Sequence, residues 1–185
     1  PSGAELIPIR LILCTKEGGR KKCRAVALGN RSLESAVENI YSPVPRLANL
    51  RMILAIAAER GYILRQFDVK NAFLSAPAKR QVWCKPPPQW RQSDDEVWLM
   101  DKAIYGLRES PAWFHDHWVE SMKQQGWSQL EDEPNFLVHP SGVLMVSYVD
   151  DILLLGEPAK VEAVRSTLSK GFQVNEEVIK EVNGY

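Results

Sequence analysis

The stretch Ser147-Tyr-Val-Asp-Asp-Ile-Leu-Leu-Leu155 places two adjacent aspartates between two apolar runs. Both runs are typical of β-strands, so β structure is predicted on either side of Asp150 and Asp151. Such strands would bury or half-bury the two carboxylates, at a cost of several kcal/mol each if nothing neutralises them. No Lys or Arg lies between His139 and Lys160, which makes a divalent cation the natural partner. A tight turn with two exposed aspartates is an equal alternative on the spacing alone.

A second acid, Asp68, lies within Gln66-Phe-Asp-Val-Lys-Asn-Ala-Phe-Leu74. It ends a predicted strand among apolar neighbours, and the alternative is an aspartate that caps the turn of residues 71–74. A solitary acid and a doubled acid, each at a strand end, match the needs of two-metal phosphoryl transfer. Their oxygens would hold two Mg²⁺ ions about 4 Å apart, one beside the nucleophilic hydroxyl and one beside the pyrophosphate leaving group.

The first half of the chain predicts a hairpin, a helix and a strand. Apolar runs at Ile7–Thr15 and Cys23–Leu28 flank a Gly-Gly turn rich in lysine and arginine, which predicts a β-hairpin with a basic tip. A short helical turn is predicted over Leu33–Asn39. Apolar residues at helical spacing predict an amphipathic helix from Leu47 up to Gly61, and Tyr62–Val69 predicts a strand.

The second half predicts an alternation of strands and helices. The proline-rich stretch 75–95 is interpreted as irregular, and a helix is predicted with Ser110 as N-cap, Pro111 at its first position and an end near Gln125. The other predicted elements are short strands at Gln81–Cys84 and Val97–Met100, strands at Phe136–Val138, Val143–Tyr148, Ile152–Leu155 and Gly171–Asn175, and a helix at Pro158–Lys170. From residue 62 onward the order is strand, helix, strand, strand, helix, strand, the split β-α-β pattern of ferredoxin-like folds.

Length and composition are those of an ordinary globular domain. The 185 residues are 45% hydrophobic and 25% charged, which excludes wholesale disorder, collagen and coiled coil. No apolar stretch reaches the ~18 residues of a membrane span. Cys14, Cys23 and Cys84 lack C-x-x-C spacing, which argues against a disulfide framework and a zinc site and favours reduced, intracellular thiols. The chain begins at Pro1 without a leader, so we expect a segment of a longer polypeptide.

The net charge of zero hides an asymmetry between the two halves. Residues 1–108 carry 18 Lys/Arg against 10 Asp/Glu, which is +8, and residues 109–185 carry 5 against 13, which is −8. Residues 10–31 alone carry seven basic side chains and one acidic side chain. The basic half suggests a polyanionic partner, and the acidic half suggests cations or solvated faces.

Several blocks, in order along the chain, resemble the reverse transcriptase of copia-type LTR retrotransposons. The main blocks are Gln66–Leu74, Lys102-Ala-Ile-Tyr-Gly-Leu-Arg-Glu-Ser-Pro-Ala-Trp113 and Tyr148-Val-Asp-Asp-Ile152. Support comes from Lys22–Gly29, Tyr41–Leu47 and Asp132–Phe136. The resemblance covers roughly residues 8–175.

The resemblance implies an α+β, right-hand polymerase fold in which a ferredoxin-like palm has an antiparallel sheet and packed helices. Fingers would come from residues 1–45 and 77–107, and palm from residues 46–76 and 108–185. It implies RNA-directed DNA polymerase activity on an RNA or DNA template-primer with dNTPs, two Mg²⁺ ions (or Mn²⁺), and no membrane. The remainder of a Pol polyprotein, with integrase and RNase H, would be the partner. The location would be intracellular, in a cytoplasmic virus-like particle or the nucleus.

The resemblance also implies roles for single residues. Asp68, Asp150 and Asp151 match the catalytic metal-binding acids, with the backbone of Val69 also facing the metals. The other matched positions are Tyr148 and Val149 beside the primer terminus, Phe73 as the bulky residue that blocks a ribose 2′-OH, Arg24 and its companion Lys16 on the triphosphate, and Tyr105 and Gly106 against the incoming nucleotide.

Two other functions compete with polymerisation. The first is a catalytically inactive remnant that binds nucleic acid or a partner, which predicts salt-sensitive binding without nucleotide incorporation. The second is a phosphohydrolase or nuclease that uses the same acids. Two local interpretations also stay open. Lys79, Arg80 and Lys85 could contact phosphate or form a solvated loop face. Trp113, Phe114 and Trp118 favour packing against the sheet over base stacking.

Overall fold

The computed structural model describes residues 5–16, 18–29 and 40–177. The chain divides into two compact units, one from Pro1–Tyr41 and Phe73–Phe114, the other from Ser42–Ala72 and His115–Tyr185. The elements in chain order are β1 (Leu6–Thr15), β2 (Lys21–Ala27), α1 (Leu47–Glu59), β3 (Ile63–Val69), α2 (Ala72–Ser75), β4 (Trp83–Lys85), β5 (Trp98–Leu99), α3 (Ser110–Gln124), β6 (Ser128–Gln129), β7 (Phe136–Val138), β8 (Leu144–Tyr148), β9 (Asp151–Gly156), α4 (Pro158–Leu168) and β10 (Val174–Glu177). The fold is therefore of the mixed α and β class.

The first unit is built on a four-stranded sheet in the order β2-β1-β4-β5. The predicted hairpin is confirmed, because β1 and β2 pair antiparallel from Ile9–Ala27 to Thr15–Lys21. Its tip turns through Gly18 and Gly19, whose positive φ angles suit glycine. The short strands β4 and β5 confirm the two predicted in the proline-rich stretch, with bounds shifted by one or two residues. The helical turn predicted at 33–39 lies outside the described residues.

The second unit is built on an antiparallel sheet of six strands in the order β10-β3-β9-β8-β7-β6. One face carries fully buried apolar side chains, among them Ile152, Leu154 and Met145. On this face Arg65 of β3 forms an ion pair with Glu162 of α4, so α4 covers it. The second half of α3 adds Trp118, which packs on Phe172 with ring centroids 4.8 Å apart. Trp113, Phe114 and Trp118 are all buried, which supports their interpretation as packing residues and not as base-stacking ones.

The other face of this sheet is covered by α1. Ala57 of the helix joins a buried cluster with Phe136, Val146 and Leu155, and Ile53 packs against that cluster. The predicted helix is confirmed and ends at Glu59, two residues before Gly61 with its φ of +64°. The predicted apolar stripe is only partly buried, since its residues Leu47 and Leu54 are exposed, as are Met52 and Ile56 of the same helix.

The start of α3 differs from its predicted form. The helix begins at Ser110 itself, and the Ser110 hydroxyl donates to the Ile104 carbonyl at 2.7 Å instead of capping the helix. Ser110 is fully buried, so its hydroxyl needs a partner inside the fold and takes the nearest carbonyl. Pro111 consequently occupies the second helical position.

The three cysteines are free in the structure. Cys14 and Cys23 are exposed and pair in register with Lys22 and Leu13, respectively. Adjacent positions along a strand alternate between faces, so these two thiols point to opposite sides of the sheet. Cys84 is buried, and burial raises the pKa of its thiol to about 11. Among the described residues, no helix is both long enough and apolar enough to cross a membrane.

Arg80 forms an ion pair with Glu109 immediately before α3. The Arg80 Nη2 atom lies 2.6 Å from Glu109 Oε1, and Nε donates to the same oxygen at 2.8 Å. Glu109 is only 3% exposed, and its carbonyl accepts the first helical hydrogen bond, from Trp113. Arg80 therefore has a structural role as the ion-pair partner of Glu109, which neither sequence interpretation of it included. A buried carboxylate needs a cation, and Arg80 supplies it.

Replacing Arg80 with Met tests this ion pair. Arg80→Met leaves the Glu109 carboxylate buried without its partner, and we expect the free energy of unfolding to fall by about 3 kcal/mol. Arg91→Met is the matched control, since Arg91 pairs with Asp94, which is 96% exposed, and should change stability by less than about 0.5 kcal/mol. Urea unfolding followed by tryptophan fluorescence compares the two variants. Equal losses in the free energy of unfolding would show that the buried Arg80–Glu109 pair stabilises the protein no more than the exposed Arg91–Asp94 pair.

Candidate functional site

The two adjacent aspartates lie at the turn between β8 and β9. Tyr148 and Asp151 form the last register pair of the two strands, which leaves Val149 and Asp150 as a two-residue loop. Val149 has a φ of +52°. Two-residue hairpin loops need a positive φ at their first position, which is usually supplied by glycine. A β-branched residue in this region is a true outlier, and backbone strain of this kind clusters at functional sites.

Strand pairing brings Asp68 beside this turn. Asp68 of β3 lies directly opposite Asp151 of β9, and Asn175 of β10 lies opposite Asp68 on its other side. Side chains of directly paired residues project from the same face of an antiparallel sheet. The Val69 amide donates to the Asp150 carbonyl at 2.8 Å, which ties the turn to the end of β3. The three aspartates therefore meet at one edge of the sheet, on the face that α1 covers further along.

The carboxylates are less buried than the sequence pattern predicts. Asp68 and Asp150 are half-buried, as expected, whereas Asp151 is exposed. The alternative interpretation, a tight turn with exposed aspartates, is therefore partly correct, because the turn is present and Asp151 is exposed. This turn does not lie alone in solvent, since Asp68 lies beside it. The physical reason for the exposure is that Asp151 begins its strand at the open end of the sheet, where the apolar cover stops.

Among the three aspartates, Asp151 has a pKa that its surroundings clearly shift. Partial burial of its carboxylate oxygens raises the pKa of Asp151, although the residue as a whole is exposed, and the charge of Asp150 raises it further. A hydrogen bond from the Gln66 side chain lowers this pKa, and the charge of Asp68 again raises it. Like charges close together favour neutralisation, by a proton or by a cation.

The donor chemistry of this cluster suits a hard divalent cation. Carboxylate oxygens are the ligands that Mg²⁺ and Mn²⁺ prefer. Among the described residues, however, no three His, Cys, Asp or Glu side chains already surround a common point at which a metal ion could sit. The aspartates are near enough to influence each other's charge, so they fit a cation in chemistry and proximity. Their side chains would have to turn toward one another to share it.

A second group of predicted residues lies in the other unit. The Arg24 guanidinium lies over the Tyr105 ring, 5.6 Å from its centroid, and Phe73 meets Tyr105 edge-on with centroids 4.9 Å apart. Arg24 is exposed, and so is Lys16 at the start of the hairpin tip. Lys16 donates its amide to the Arg20 carbonyl within the tip. One aromatic ring thus links the predicted triphosphate arginine to the predicted sugar-selecting phenylalanine.

Gly106 allows the segment after Tyr105 to approach β2 closely. The Ala27 amide donates to the Tyr105 carbonyl at 2.7 Å. Gly106 has a φ of +90°, and a Cβ there would overlap the Ala27 carbonyl and the Val26 side chain. Gly29 is also restricted, because a Cβ there would lie 2.6 Å from the Gly106 carbonyl oxygen. Any larger residue at 106 would therefore push Tyr105 away from the strand that carries Arg24.

The predicted residues thus form two groups, each described within its own unit. The first contains Asp68, Val69, Tyr148, Val149, Asp150 and Asp151, and the second contains Lys16, Arg24, Phe73, Tyr105 and Gly106. Sequence reasoning missed Gln66, whose hydrogen bond to Asp151 could have been suspected from its place two residues before Asp68 on the same face. It also missed Asn175, which only the pairing of β10 with β3 reveals.

A family model described as reverse transcriptase (RNA-dependent DNA polymerase) matches residues 1–184. The chain belongs to the reverse transcriptase family. Its similarity to copia-type relatives confirms the retrotransposon resemblance. It is 32% identical over 164 residues to the retrovirus-related Pol polyprotein from transposon RE2 of Arabidopsis thaliana, with 85% of the chain covered. Over 95% of the chain it is 29% identical to the Pol polyprotein from transposon RE1 of the same plant and 24% identical to that from transposon TNT 1-94 of Nicotiana tabacum.

The matched region is a small part of these relatives. It spans 11%, 13% and 14% of the RE2, RE1 and TNT 1-94 polyproteins, respectively. Family membership therefore rests on one short region of each of these polyproteins. Within this region, the chain carries Asp150 and Asp151 at a turn whose first residue, Val149, has a positive φ.

The strain at Val149 can be measured with a pair of substitutions. Ala retains the Cβ that disfavours positive φ and Gly does not, so we expect Val149→Gly to be more stable than Val149→Ala by about 1 kcal/mol. At an exposed position without positive φ, such as Asp132, the order should be reversed, because Gly loses more backbone entropy on folding than Ala. Urea unfolding of the four variants decides the point, and a Val149→Ala protein at least as stable as Val149→Gly would exclude strain at Val149.

Proposed function

We propose that this chain is the fingers-and-palm segment of an RNA-directed DNA polymerase that adds deoxynucleotides to a primer by two-metal nucleotidyl transfer. The observation that carries the proposal is the meeting of Asp68 with Asp150 and Asp151 at one sheet edge, in a chain of the reverse transcriptase family. The strand order β10-β3-β9-β8 supports a ferredoxin-like palm, since it is the order that a split β-α-β-β-α-β chain gives. The two compact units support interleaved fingers and palm.

The three aspartates would hold two Mg²⁺ ions, or Mn²⁺, and the Val69 carbonyl is the backbone group that could join them. Bound divalent cations would supply charge stabilisation for the attacking hydroxyl and for the pyrophosphate leaving group. In the reaction, the primer 3′-oxygen forms a bond to the α-phosphorus of the dNTP while the bond to pyrophosphate breaks. The mutual repulsion of the three carboxylates supports this role, because it makes cation binding favourable.

The remaining residues of the second unit would position the primer. Tyr148 is 48% exposed and pairs with Asp151, so its side chain projects from the face on which Asp68 and Asp151 lie. A half-exposed aromatic ring next to the acids is suited to contact with the terminal nucleotide. The strained Val149 backbone would fix the turn, and with it the distance of Asp150 from the primer terminus.

The residues of the first unit would bind the incoming nucleotide. Arg24 would grip the triphosphate with Lys16 as its companion, since charge-assisted hydrogen bonds to phosphate are the strong ones. Tyr105 and Gly106 would pack against the nucleotide, and the Phe73 ring would exclude a ribose 2′-OH. The contact of Tyr105 with both Arg24 and Phe73 supports a common nucleotide site for these residues.

The wider setting follows from the relatives and is part of the proposal. The relatives are Pol polyproteins, which supports a setting within a longer polyprotein. In this proposal the chain would work beside an integrase and an RNase H on an RNA or DNA template-primer. An intracellular virus-like particle or the nucleus would be its location.

Primer extension on an RNA template with dNTPs and Mg²⁺ tests the activity. We expect template-dependent extension that Asp150→Asn reduces by roughly 10²-fold or more, because a carboxylate–metal contact is worth several kcal/mol in the transition state. Asp94→Asn is the control, since Asp94 is 96% exposed and lies in the other unit. Phe73→Val should admit ribonucleotides that the wild type excludes.

Other outcomes of the same assay separate the competing functions. A folded chain that binds duplex in a salt-sensitive manner without extending it would instead be the inactive remnant. Nicked strands or released phosphate would indicate a nuclease or phosphohydrolase.

Cation binding can be measured without turnover. We expect millimolar MgCl₂ to raise the Tm of the wild type by about 2–4 °C, which corresponds to roughly 1 kcal/mol for a chain of this size. KCl at the same ionic strength should not do so. Asp151→Asn should have a smaller Mg²⁺ response, and without Mg²⁺ it should be more stable than the wild type because it removes a partly buried charge and its repulsion by Asp150. An equal Mg²⁺ response in both proteins would exclude Asp151 as a ligand.

A further inference from the structure

The Phe73 ring is in contact with two aromatic rings. Its centroid lies 4.9 Å from that of Tyr105, at an interplanar angle of 66°, and 6.4 Å from that of Phe114, at an angle of 80°. Both separations lie in the range in which edge-to-face aromatic pairs attract. Phe73 is half-buried in the four-residue helix α2. The Phe73 ring therefore contacts Tyr105 and Phe114 and remains partly exposed to solvent.

Phe114 is the more firmly fixed of the two neighbours. It is 1% exposed and lies in the second turn of α3. The start of that helix is anchored by the Ser110 hydroxyl on the Ile104 carbonyl and by the ion pair of Glu109 with Arg80. Because a packed ring on an anchored helix has little freedom, Phe114 offers Phe73 an immobile surface.

The Tyr105 side is tied to a different element. The Tyr105 carbonyl accepts a hydrogen bond from Ala27 of β2, and its ring carries the Arg24 guanidinium. Arg24 is exposed and would move when a triphosphate arrives, so Tyr105 alone would leave Phe73 dependent on a mobile contact. The two contacts on Phe73 therefore differ in kind, one nucleotide-dependent and one permanent.

We propose that Phe114 is a positioning residue for sugar selection: it keeps the Phe73 ring at the place where that ring excludes a ribose 2′-OH. The inference rests on the proposed polymerase function and extends it to a buried residue that touches no substrate. Phe114 acts through Phe73, because its contact is with that ring. Its loss therefore affects the choice between dNTP and rNTP far more than the rate of dNTP incorporation.

The test is the ratio of kcat/KM for dNTP to that for rNTP in primer extension by the full chain. Phe114→Leu should lower this ratio by about twofold to tenfold, the range that one aromatic pair is worth. Phe136→Leu is the matched control, because it makes the same change at a side chain that is 2% exposed in the core of the other unit. Its ratio should equal that of the wild type. Phe114→Met is the second variant if Phe114→Leu folds poorly.

A double substitution distinguishes positioning from general loosening. If Phe114 acts through Phe73, then Phe73→Val with Phe114→Leu should discriminate no worse than Phe73→Val alone. Additive losses, or an unchanged ratio in Phe114→Leu, would overturn the inference and leave the polymerase function intact. A wild type that extends no primer would overturn both.

The contact can also be examined in the free protein. In a sample with ring-labelled phenylalanine, the Phe73 ring resonances, assigned by their loss in Phe73→Val, should shift in Phe114→Leu and stay in place in Phe136→Leu. If the chemical shifts of the Phe73 ring are the same in Phe114→Leu as in the wild type, the inference is overturned whatever the enzymatic result.

Discussion

The antiparallel register between β3 and β9 is the constraint on which the candidate site depends. It sets Asp68 opposite Asp151, and the Val69–Asp150 hydrogen bond extends the same alignment by one step into the turn. A slip of one residue would move Asp68 to the opposite face, because side chains alternate along a strand. Leu64 and Leu155, paired further along, would move with it and lose their contact with α1. Burial of that apolar cluster therefore also places the acids.

The cluster of acids is unfavourable in isolation, and the rest of the second unit compensates for it. Burial raises the pKa of Asp151, and the charges of Asp150 and Asp68 raise it further, so ionised carboxylates at this sheet edge oppose folding. Apolar packing on both faces of the sheet holds the strands together regardless, with Ile152 and Leu154 fully buried directly after the turn. Hydrophobic burial is roughly proportional to area and insensitive to charge, so it can stabilise a site that electrostatics opposes.

Sequence reasoning predicted the elements well, because hydrophobic periodicity is local. It identified both hairpins' strands, α1, α3 and α4, and it selected Asp68, Asp150 and Asp151 as candidates. It failed where contacts join distant parts of the chain. The pairing of Arg80 with Glu109 spans 29 residues, and no local pattern indicates it. The partial exposure of α1 likewise depends on how much of the helix the sheet can cover, which the apolar stripe alone does not reveal.

The strained backbone of Val149 results from the same strand pairing that places the aspartates. Val149 needs a positive φ because the loop has only two residues, and the loop has only two residues because Tyr148 and Asp151 are already paired. Pairing of β8 with β9, which buries Val146 and Leu155, thus forces a conformation that costs about 1–2 kcal/mol at a β-branched residue. A longer loop would relieve the strain, but it would release Asp150 from the hydrogen bond with Val69. The strain is therefore a consequence of holding both aspartates at fixed positions beside Asp68.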